Sequence, residues 1–513
     1  MQPAIYKRPT VWQLAAPSIM ANLMFSMTAM VQTKFVGGMG APAVAALGAG
    51  QRVFFALQAL LMAIGVGTTA LVARSWGAGQ PEEASRITSS SIMLGALVGL
   101  LVMIFGMAFS RQIAEVFGLD EFTAQLASRN IFWLSVFMIG FAIDIILSSA
   151  LRAAGNAWTP LLFGLAVNLV NLPLLYAFIL GKFGAPRMGS AGAPFASGLS
   201  FVICGAVLVS LWMRQKLTIK FYPSDIFQKA RYRRLLHIGY PVALEQLVMQ
   251  FGFFLFVSLI GRYYGTEAFA AYNVGVNMLN AAMVVGSGFS IAGATLVGQH
   301  LGAGDTEGAA RSGWHACSMA VAAMSVIGLL TVLNAPALAR FFLGSDEIAV
   351  LRTIEFTYIM SAMLPLLGVD MAIGGSLRGA GDTRFPLMTS FLGLIGMRCA
   401  LAATFAFFKL PVIWVYGSII GDYMLKGTLL IWRFKSGHWK HALAKRLVTS
   451  KDTYAKQRSA SDRTAAGAAY PYAVSDRGDR SRGSCRRGGL GEKHLPVGRS
   501  GNASEACRTH GPQ

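Results

Sequence analysis

The hydrophobic positions of this chain occur in long continuous runs that polar residues interrupt only briefly. A membrane-spanning helix needs about 20 mostly apolar residues, and a scan for such runs indicates about twelve spans. The clearest predicted spans are residues 12–33, 90–110, 131–151, 160–181, 240–261, 386–408 and 412–432. Because the runs are continuous and do not alternate with polar residues, they predict helices instead of the strands of a membrane β-barrel. The first run is longer than the core of a cleavable signal peptide, so we expect it to remain as a span.

The composition places the chain among membrane proteins. Of its 513 residues 54% are hydrophobic and only 13% are charged, and the mean hydropathy is +0.53. Such a chain folded in water would leave apolar surface exposed. We therefore expect an all-α polytopic protein of about twelve transmembrane helices, located in a plasma membrane such as the bacterial inner membrane.

Little in the sequence indicates an enzyme. The histidines and the five cysteines show no metal-ligand spacing, no nucleophile–base pair is apparent, and no GxxxxGK[ST] phosphate loop occurs. His237, His300 and His315 lie near the ends of predicted spans. We therefore expect no catalysis, no bound metal or cofactor, and no ATP coupling within this chain.

The net charge of +21 is concentrated at the C-terminus. From residue 434 onward there are 16 Lys and Arg against 6 Asp and Glu, in a segment rich in Gly, Ser and Arg. This composition predicts a disordered cytoplasmic tail over residues 436–513. A solvated extension or an out-of-frame coding end is favoured over a polybasic arm that binds anionic lipid or nucleic acid.

An internal repeat divides the rest of the chain. "WGAGQPEEASR", ending at Arg86, aligns with "LGAGDTEGAAR", ending at Arg311, at a shift of 225. "DIILSSALRAAGNAWTP" from Asp144 aligns with "DMAIGGSLRGAGDTRFP" from Asp370 at a shift of 226. Similar blocks at one shift predict two related halves of six spans each.

The predicted organisation is an N-terminal six-helix lobe (1–220), a basic linker (221–235) and a C-terminal six-helix lobe (236–435). An even number of spans makes both lobes enter the membrane from the same side, so the axis relating them lies along the membrane normal. The segment "RQKLTIKFYPSDIFQKARYRR" holds seven Lys or Arg and one Asp. By the positive-inside rule this connection and both termini are cytoplasmic.

Several motifs resemble those of the multidrug and toxic compound extrusion (MATE) family, bacterial type. They are "ALVARSWGAGQPEEASR", "ALRAAGNAWTPLL", "NLVNLPLLYAFILG" with "GSAGAPFASGLSF", and "SLRGAGDTRFPLM". The resemblance covers residues 10–435. It implies two six-helix lobes arranged in a V around a central cavity, and antiport of amphipathic, often cationic compounds against Na⁺ or H⁺.

The chain departs from the family pattern in the first lobe. Where members usually read "VDTxFVG", this chain reads "VQTKFVG" and places Gln32 at the position of an Asp. Many members also have an Asp four residues after the fifth-helix Asn, whereas Asn171 is followed there by Leu175. An amide cannot supply the negative charge that a bound cation needs in an apolar site, so we expect no cation site in this lobe. The candidate polar residues of the cavity are Gln32, Asn168, Asn171, Asn273 and Asn277.

Glu245 is the first of three acids predicted inside spans. An ionisable residue within a span costs about 2.5–3.5 kcal/mol and is a functional candidate. Glu245 follows Pro241 by four residues in "YPVALEQLVMQFGFF". It is interpreted either as a proton carrier or as a carboxylate that a neighbouring Arg or amide holds in place, with neither favoured.

Asp144 and Asp370 occupy equivalent positions of the two repeats, each eight residues before an Arg. Eight residues span about 12 Å, so Arg152 or Arg378 is too far along the same helix to pair with them. A structural role is slightly favoured over ion coupling. The family resemblance places the usual tenth-helix acid about one turn earlier, at Leu367, so Asp370 is only a neighbour of that site.

Met24 and Met27 lie on one stripe of the first helix and are candidates for an adaptable apolar wall of the cavity. Contact with lipid or with neighbouring helices is the favoured alternative. A methionine stripe is therefore weak grounds for a cavity wall.

Together these features predict a secondary exporter of amphipathic small molecules such as drugs or natural products, coupled to H⁺ or, less favoured, Na⁺. With few acids in the membrane, a neutral or zwitterionic substrate is expected instead of a dication. The expected partners are that substrate and the lipid bilayer, with no nucleic acid, for a monomeric protein. The alternatives are a lipid-linked glycan flippase of the same superfamily, disfavoured because Lys and Arg are placed at helix ends, and a non-transporting membrane scaffold.

Overall fold

The computed structural model describes residues 8–223, 226–343 and 347–442, and these form helices without any strand. The predicted tail beyond residue 442 lies outside the described residues. The first half contains α1 (Val11–Gly37), α2 (Ala41–Gly77), α3 (Pro81–Ala108), α4 (Ser110–Glu115), α5 (Glu121–Val136), α6 (Met138–Ala153), α7 (Trp158–Leu180) and α8 (Gly192–Met213).

The second half follows the same order. It contains α9 (Lys229–Gly302), α10 (Thr306–Leu333), α11 (Ala335–Leu343), α12 (Glu347–Gly379), α13 (Arg384–Phe391), a π-helix (Leu392–Cys399), α14 (Ala400–Phe407) and α15 (Val412–Lys435). Two membrane-length arms make up α9, because Gly265 interrupts it with φ 79° and ψ −173°.

The predicted all-α membrane fold is confirmed. In the described part of the chain, ten helical segments are long and apolar enough to cross a membrane, and the pair α5 and α6, bent by 51°, makes an eleventh span. The 24-residue α15 is about 36 Å long, enough for a twelfth span, although it carries Asp422 and Lys426 in its interior.

The backbone repeats itself at the shift read from the sequence. Glycines with positive φ end corresponding helices of the two halves: Gly40 (100°) and Gly265 (79°), Gly79 (71°) and Gly304 (77°), Gly155 (91°) and Gly381 (85°). A residue without a Cβ adopts this left-handed geometry without strain. Each pair is 225 or 226 residues apart, so both halves use the same turns to reverse the chain.

The halves meet through glycines that allow backbone to touch backbone. A Cβ on Gly77 would overlap the carbonyl oxygen of Gln299, and a Cβ on Gly302 would overlap that of Arg74. Gly302 lies 225 residues after Gly77, and Gln299 lies 225 residues after Arg74. The two contacts are therefore equivalent in the repeat, and the interface is pseudo-twofold. Lys220, which directly precedes the predicted linker, donates its N–H to Ser85 at 3.1 Å near the same end of α2 and α3. The halves are therefore closed at the end that adjoins the linker.

Two segment boundaries differ from the predicted ones. The first helix of the second half begins at Lys229, inside the predicted linker, where Arg231 pairs with Glu83 at 3.0 Å. After α15, residues 436–442 fold back onto the second half, because the buried Trp439 stacks on Phe434 with ring centroids 4.6 Å apart.

We predict that Gly77→Ala destabilises the protein. The added methyl group must push two backbones apart, and overpacking of this kind costs about 1–3 kcal/mol. Thermal unfolding of the purified protein measures the effect as a lower midpoint temperature. The control is Gly48→Ala in the same helix, where a Cβ meets nothing within 4 Å. Equal midpoints for the two variants would contradict the close contact.

Candidate functional site

A cavity of about 610 Å³ lies between the two halves. Its walls are largely apolar and include Phe25, Phe141, Phe163, Met249 and Met283. Among the described residues, six charged ones also line it, three acids and three bases: Asp144, Arg152, Glu245, Asp370, Arg378 and Lys426. All three acids predicted inside spans therefore face one chamber.

Glu245, on the first arm of α9, is held by a cation. Its Oε1 lies 2.7 Å from Nη2 of Arg378, and its Oε2 accepts from Nε of the same guanidinium at 3.3 Å. Ser390 donates its hydroxyl to Oε1 at 3.0 Å. The carboxylate is buried, so this geometry supports the interpretation that an Arg holds Glu245 in place.

Asp370, on α12, faces the same cavity without such a partner. It is half-buried, and within the described residues its carboxylate makes neither a hydrogen bond nor an ion pair. Arg378 lies two turns further along the helix and bonds to Glu245 instead. As the sequence indicated, the acid and the Arg of one helix do not pair.

The first half carries the equivalent acid and Arg on α6. Asp144 accepts a hydrogen bond from Ser148 at 3.0 Å. Arg152 lines the cavity, and over residues 8–223, 226–343 and 347–442 its guanidinium makes neither a hydrogen bond nor an ion pair. Asp144 and Arg152 line the cavity, as Asp370 and Arg378 do in the second half. The halves differ in the partners of their arginines, because Arg378 bonds to Glu245.

A buried ion cluster in the second half was missed from the sequence. Asp422 lies 2.6 Å from Nη2 of Arg398 and 3.1 Å from Nζ of Lys426, and all three side chains are nearly inaccessible. The guanidinium also stacks over Phe253, Phe256 and Tyr423 at 5.4–5.7 Å. The expectation that Lys and Arg lie only at helix ends was therefore wrong.

A signal for this cluster was present. Arg398 interrupts one predicted span, and Asp422 and Lys426 stand four apart in another, at the spacing of one helical turn. The π-helix over Leu392–Cys399 contains Arg398. π-helices are frequent at functional sites, and nothing in the sequence indicated this one.

The predicted amides of the first half share one hydroxyl. Gln32 donates to Oγ of Ser197 at 2.5 Å, and Asn171 donates to the same oxygen at 3.3 Å. The amide of Asn168 donates to the backbone of Gly164 at 2.8 Å. All three amides line the cavity. Two further candidates, Asn273 and Asn277, have side chains that lie outside the described residues.

The methionine stripe does not line the cavity. Met27 is 65% exposed on the outside of the bundle, and Met24 is half-buried away from the chamber. Ala21, Phe25 and Gln32 instead form the cavity face of α1. At about 100° per residue, the two methionines point roughly 90–150° away from that face. The favoured alternative, contact with lipid and neighbouring helices, fits their positions.

We predict that Glu245→Gln costs about 3–5 kcal/mol of unfolding free energy, because it leaves Arg378 as a buried cation without a counter-charge. The double variant with Arg378→Gln should recover part of this loss, since neither charge remains. Ser390→Ala, which removes one hydrogen bond, should cost only about 1 kcal/mol and serves as the control. Denaturant unfolding measures the wild type, the double variant and the single variants Glu245→Gln, Arg378→Gln and Ser390→Ala. Strictly additive losses would contradict the pairing.

The chain is similar to known transporters over most of its length. Residues 17–177 and 241–404, together more than half of the chain, match the MatE family. A probable multidrug resistance protein NorM from Thermotoga maritima is 27% identical over 87% of this chain and 95% of that protein. Multidrug resistance protein NorM from Burkholderia vietnamiensis is 26% identical over 82% of this chain and 92% of that protein.

Solved structures show the same fold. A MOP superfamily transporter from Pyrococcus furiosus superposes with a TM-score of 0.78 at 20% identity, over 83% of this chain and 96% of that one. The Vibrio cholerae MATE transporter VcmN superposes with a TM-score of 0.77 at 21% identity, over 84% of this chain and 97% of that one. With its duplicated helical halves around a charged cavity, the protein is a multi-pass membrane protein that belongs to the MatE family of multidrug efflux transporters.

Proposed function

We propose that the protein is an antiporter that exchanges an amphipathic small molecule for H⁺ by rocking its two halves around the cavity. The observation that carries this proposal is the environment of Asp370. It is a half-buried carboxyl that lines the cavity and, within the described residues, bonds to no cation. Such a group can load and release a proton without breaking an existing salt bridge.

Glu245 is the poorer carrier because of its bonds. Protonating it would remove the negative end of the pair with Arg378, whose Nη2 is 2.7 Å away, and leave that guanidinium unneutralised. Breaking a buried pair in this way costs about 3–5 kcal/mol. Glu245 therefore serves as the fixed counter-ion of Arg378, and Asp370 and Asp144 are the candidates for proton exchange.

Charge balance gives a reason for exchange. The six charged residues that line the cavity are three acids and three bases, so their formal charges cancel when every acid is ionised. A proton on Asp370 makes this set net positive and lowers the affinity for any cationic group of the substrate. Proton and substrate then compete for one chamber, which is the requirement for antiport.

The first half favours H⁺ over Na⁺ as the coupling ion. Na⁺ binding in an apolar site calls for hard oxygen ligands that include a carboxylate. The cluster of Gln32, Asn171 and Ser197 supplies amide and hydroxyl groups only. In the described part of the chain, no group of three or more His, Cys, Asp or Glu is placed to hold a metal ion.

The closed end of the cavity is proposed to face the cytoplasm. The basic linker adjoins this end through the Lys220–Ser85 hydrogen bond and the Arg231–Glu83 ion pair. By the positive-inside rule that end is cytoplasmic, in keeping with a bacterial inner membrane. The halves touch there through Gly77 and Gly302, so we assign the structure to the state closed to the cytoplasm.

We predict that Asp370→Asn abolishes transport driven by a proton gradient, because the amide cannot bind and release a proton. Everted membrane vesicles given an imposed pH gradient and a fluorescent cationic dye measure this as loss of gradient-driven uptake. Exchange of dye against dye without a gradient should persist, since the chamber remains. Asp120→Asn, an exposed N-cap outside the cavity, is the matched control. Undiminished gradient-driven uptake by Asp370→Asn would contradict the role of Asp370.

A further inference from the structure

The two repeats treat their cavity arginines differently. In the second half Arg378 gives two of its N–H groups to Glu245, at 2.7 and 3.3 Å. In the first half the equivalent Arg152, 226 residues earlier, lines the same cavity, and within the described residues its guanidinium makes neither a hydrogen bond nor an ion pair. A guanidinium is always charged and presents a planar fork of donors, so Arg152 faces the chamber with its bonding capacity unused.

The groups that would satisfy Arg152 are missing from the first half. Counted from Pro17 and Pro241, which occupy the same place in the repeats, the position of Glu245 corresponds to Ala21. Ser390, which donates to Glu245, corresponds at the shift of 226 to Gly164. A carboxylate and a hydroxyl are therefore replaced by a methyl group and a hydrogen atom.

These replacements leave the cavity open at the two positions that the repeat places beside Arg152. Both Ala21 and Gly164 line the cavity, and a Cβ built on Gly164 meets nothing within 4 Å. The acid on the same helix attracts the guanidinium through space but does not bond to it, since Asp144 accepts from Ser148 and lies about 12 Å along the axis from Arg152. We define the anion niche as the space bounded by Ala21, Arg152 and Gly164.

We propose that the anion niche binds a carboxylate of the transported molecule, which takes in the first half the place that the side chain of Glu245 takes in the second. A carboxylate matches the guanidinium fork with two parallel hydrogen bonds. The aromatic rings of Phe25, Phe141 and Phe163 supply apolar walls for the rest of the ligand. The inference rests on the proposed transport function and names its substrate class, an amphipathic zwitterion whose carboxylate binds Arg152 and whose cationic group competes with the proton on Asp370.

A direct binding measurement tests the niche apart from proton coupling. Dansylglycine and dansylglycinamide share an apolar fluorescent body, and only the first carries a carboxylate. Titrated into the purified full-length protein in detergent at neutral pH, dansylglycine should bind about ten-fold or more tightly than the amide, as expected for a charge-assisted bidentate contact in a cavity. Equal affinity for the two probes would overturn the proposal.

Three variants test whether the tighter binding of dansylglycine arises at the anion niche. Arg152→Gln should bring the two probes to equal affinity. Ala21→Glu should do the same, because it places in the first half the counter-ion that Arg378 already has. Ala21→Gln has the same bulk without the charge, so it should weaken both probes alike and keep the preference. An unchanged preference in Arg152→Gln would overturn the proposal even if Ala21→Glu fails to fold.

The outcome is separable from that of the antiport proposal. Asp370→Asn removes the proposed proton site and leaves the niche intact, so this variant should still bind dansylglycine more tightly than dansylglycinamide. Gradient-driven uptake that survives in Asp370→Asn counts against the coupling role alone. Loss of probe discrimination in the wild-type protein, with gradient-driven uptake retained, counts against the niche alone.

Discussion

A guanidinium inside a membrane protein must be neutralised, and this requirement organises the cavity. The second half meets it internally: Arg378 and Glu245 form a bidentate pair, supported by Ser390. Because both partners project from transmembrane helices, the pair also fixes α9 against α12. The cost of separating buried charges makes this pair a rigid part of the wall. Proton exchange, in which a side chain changes its charge, therefore requires residues other than Arg378 and Glu245.

Duplication explains why the halves agree in some places and differ in others. The turns at Gly79 and Gly304 and the contacts at Gly77 and Gly302 depend on backbone, and backbone geometry tolerates only glycine there. The cavity positions carry side chains that face the chamber, and no contact between backbones keeps them alike. Divergence is therefore expected where the repeats face the chamber, as at Ala21 and Glu245.

The sequence predicted the fold well because lipid imposes a strong rule on it. A span must be long, apolar and helical, and the motifs ending at Arg86 and Arg311 set the repeat. The site was predicted less well. Its acids were found from the cost of burying charge, but the partner of Glu245 comes from a helix 133 residues away, which no local pattern specifies. Met24 and Met27 do not line the cavity, in keeping with the favoured alternative of contact with lipid and neighbouring helices, because a stripe on a helix does not reveal which side faces the cavity.

The closed interface and the charged cavity are linked by one residue. Gln299 contacts Gly77 through its backbone carbonyl oxygen, and its side-chain amide donates to the carbonyl of Ala153 at 2.8 Å, next to Arg152. Separation of the halves at the linker end therefore breaks the hydrogen bond that ties the end of α6 to α9. A ligand held at Arg152 is thereby connected to the contact that must open for the cavity to change sides.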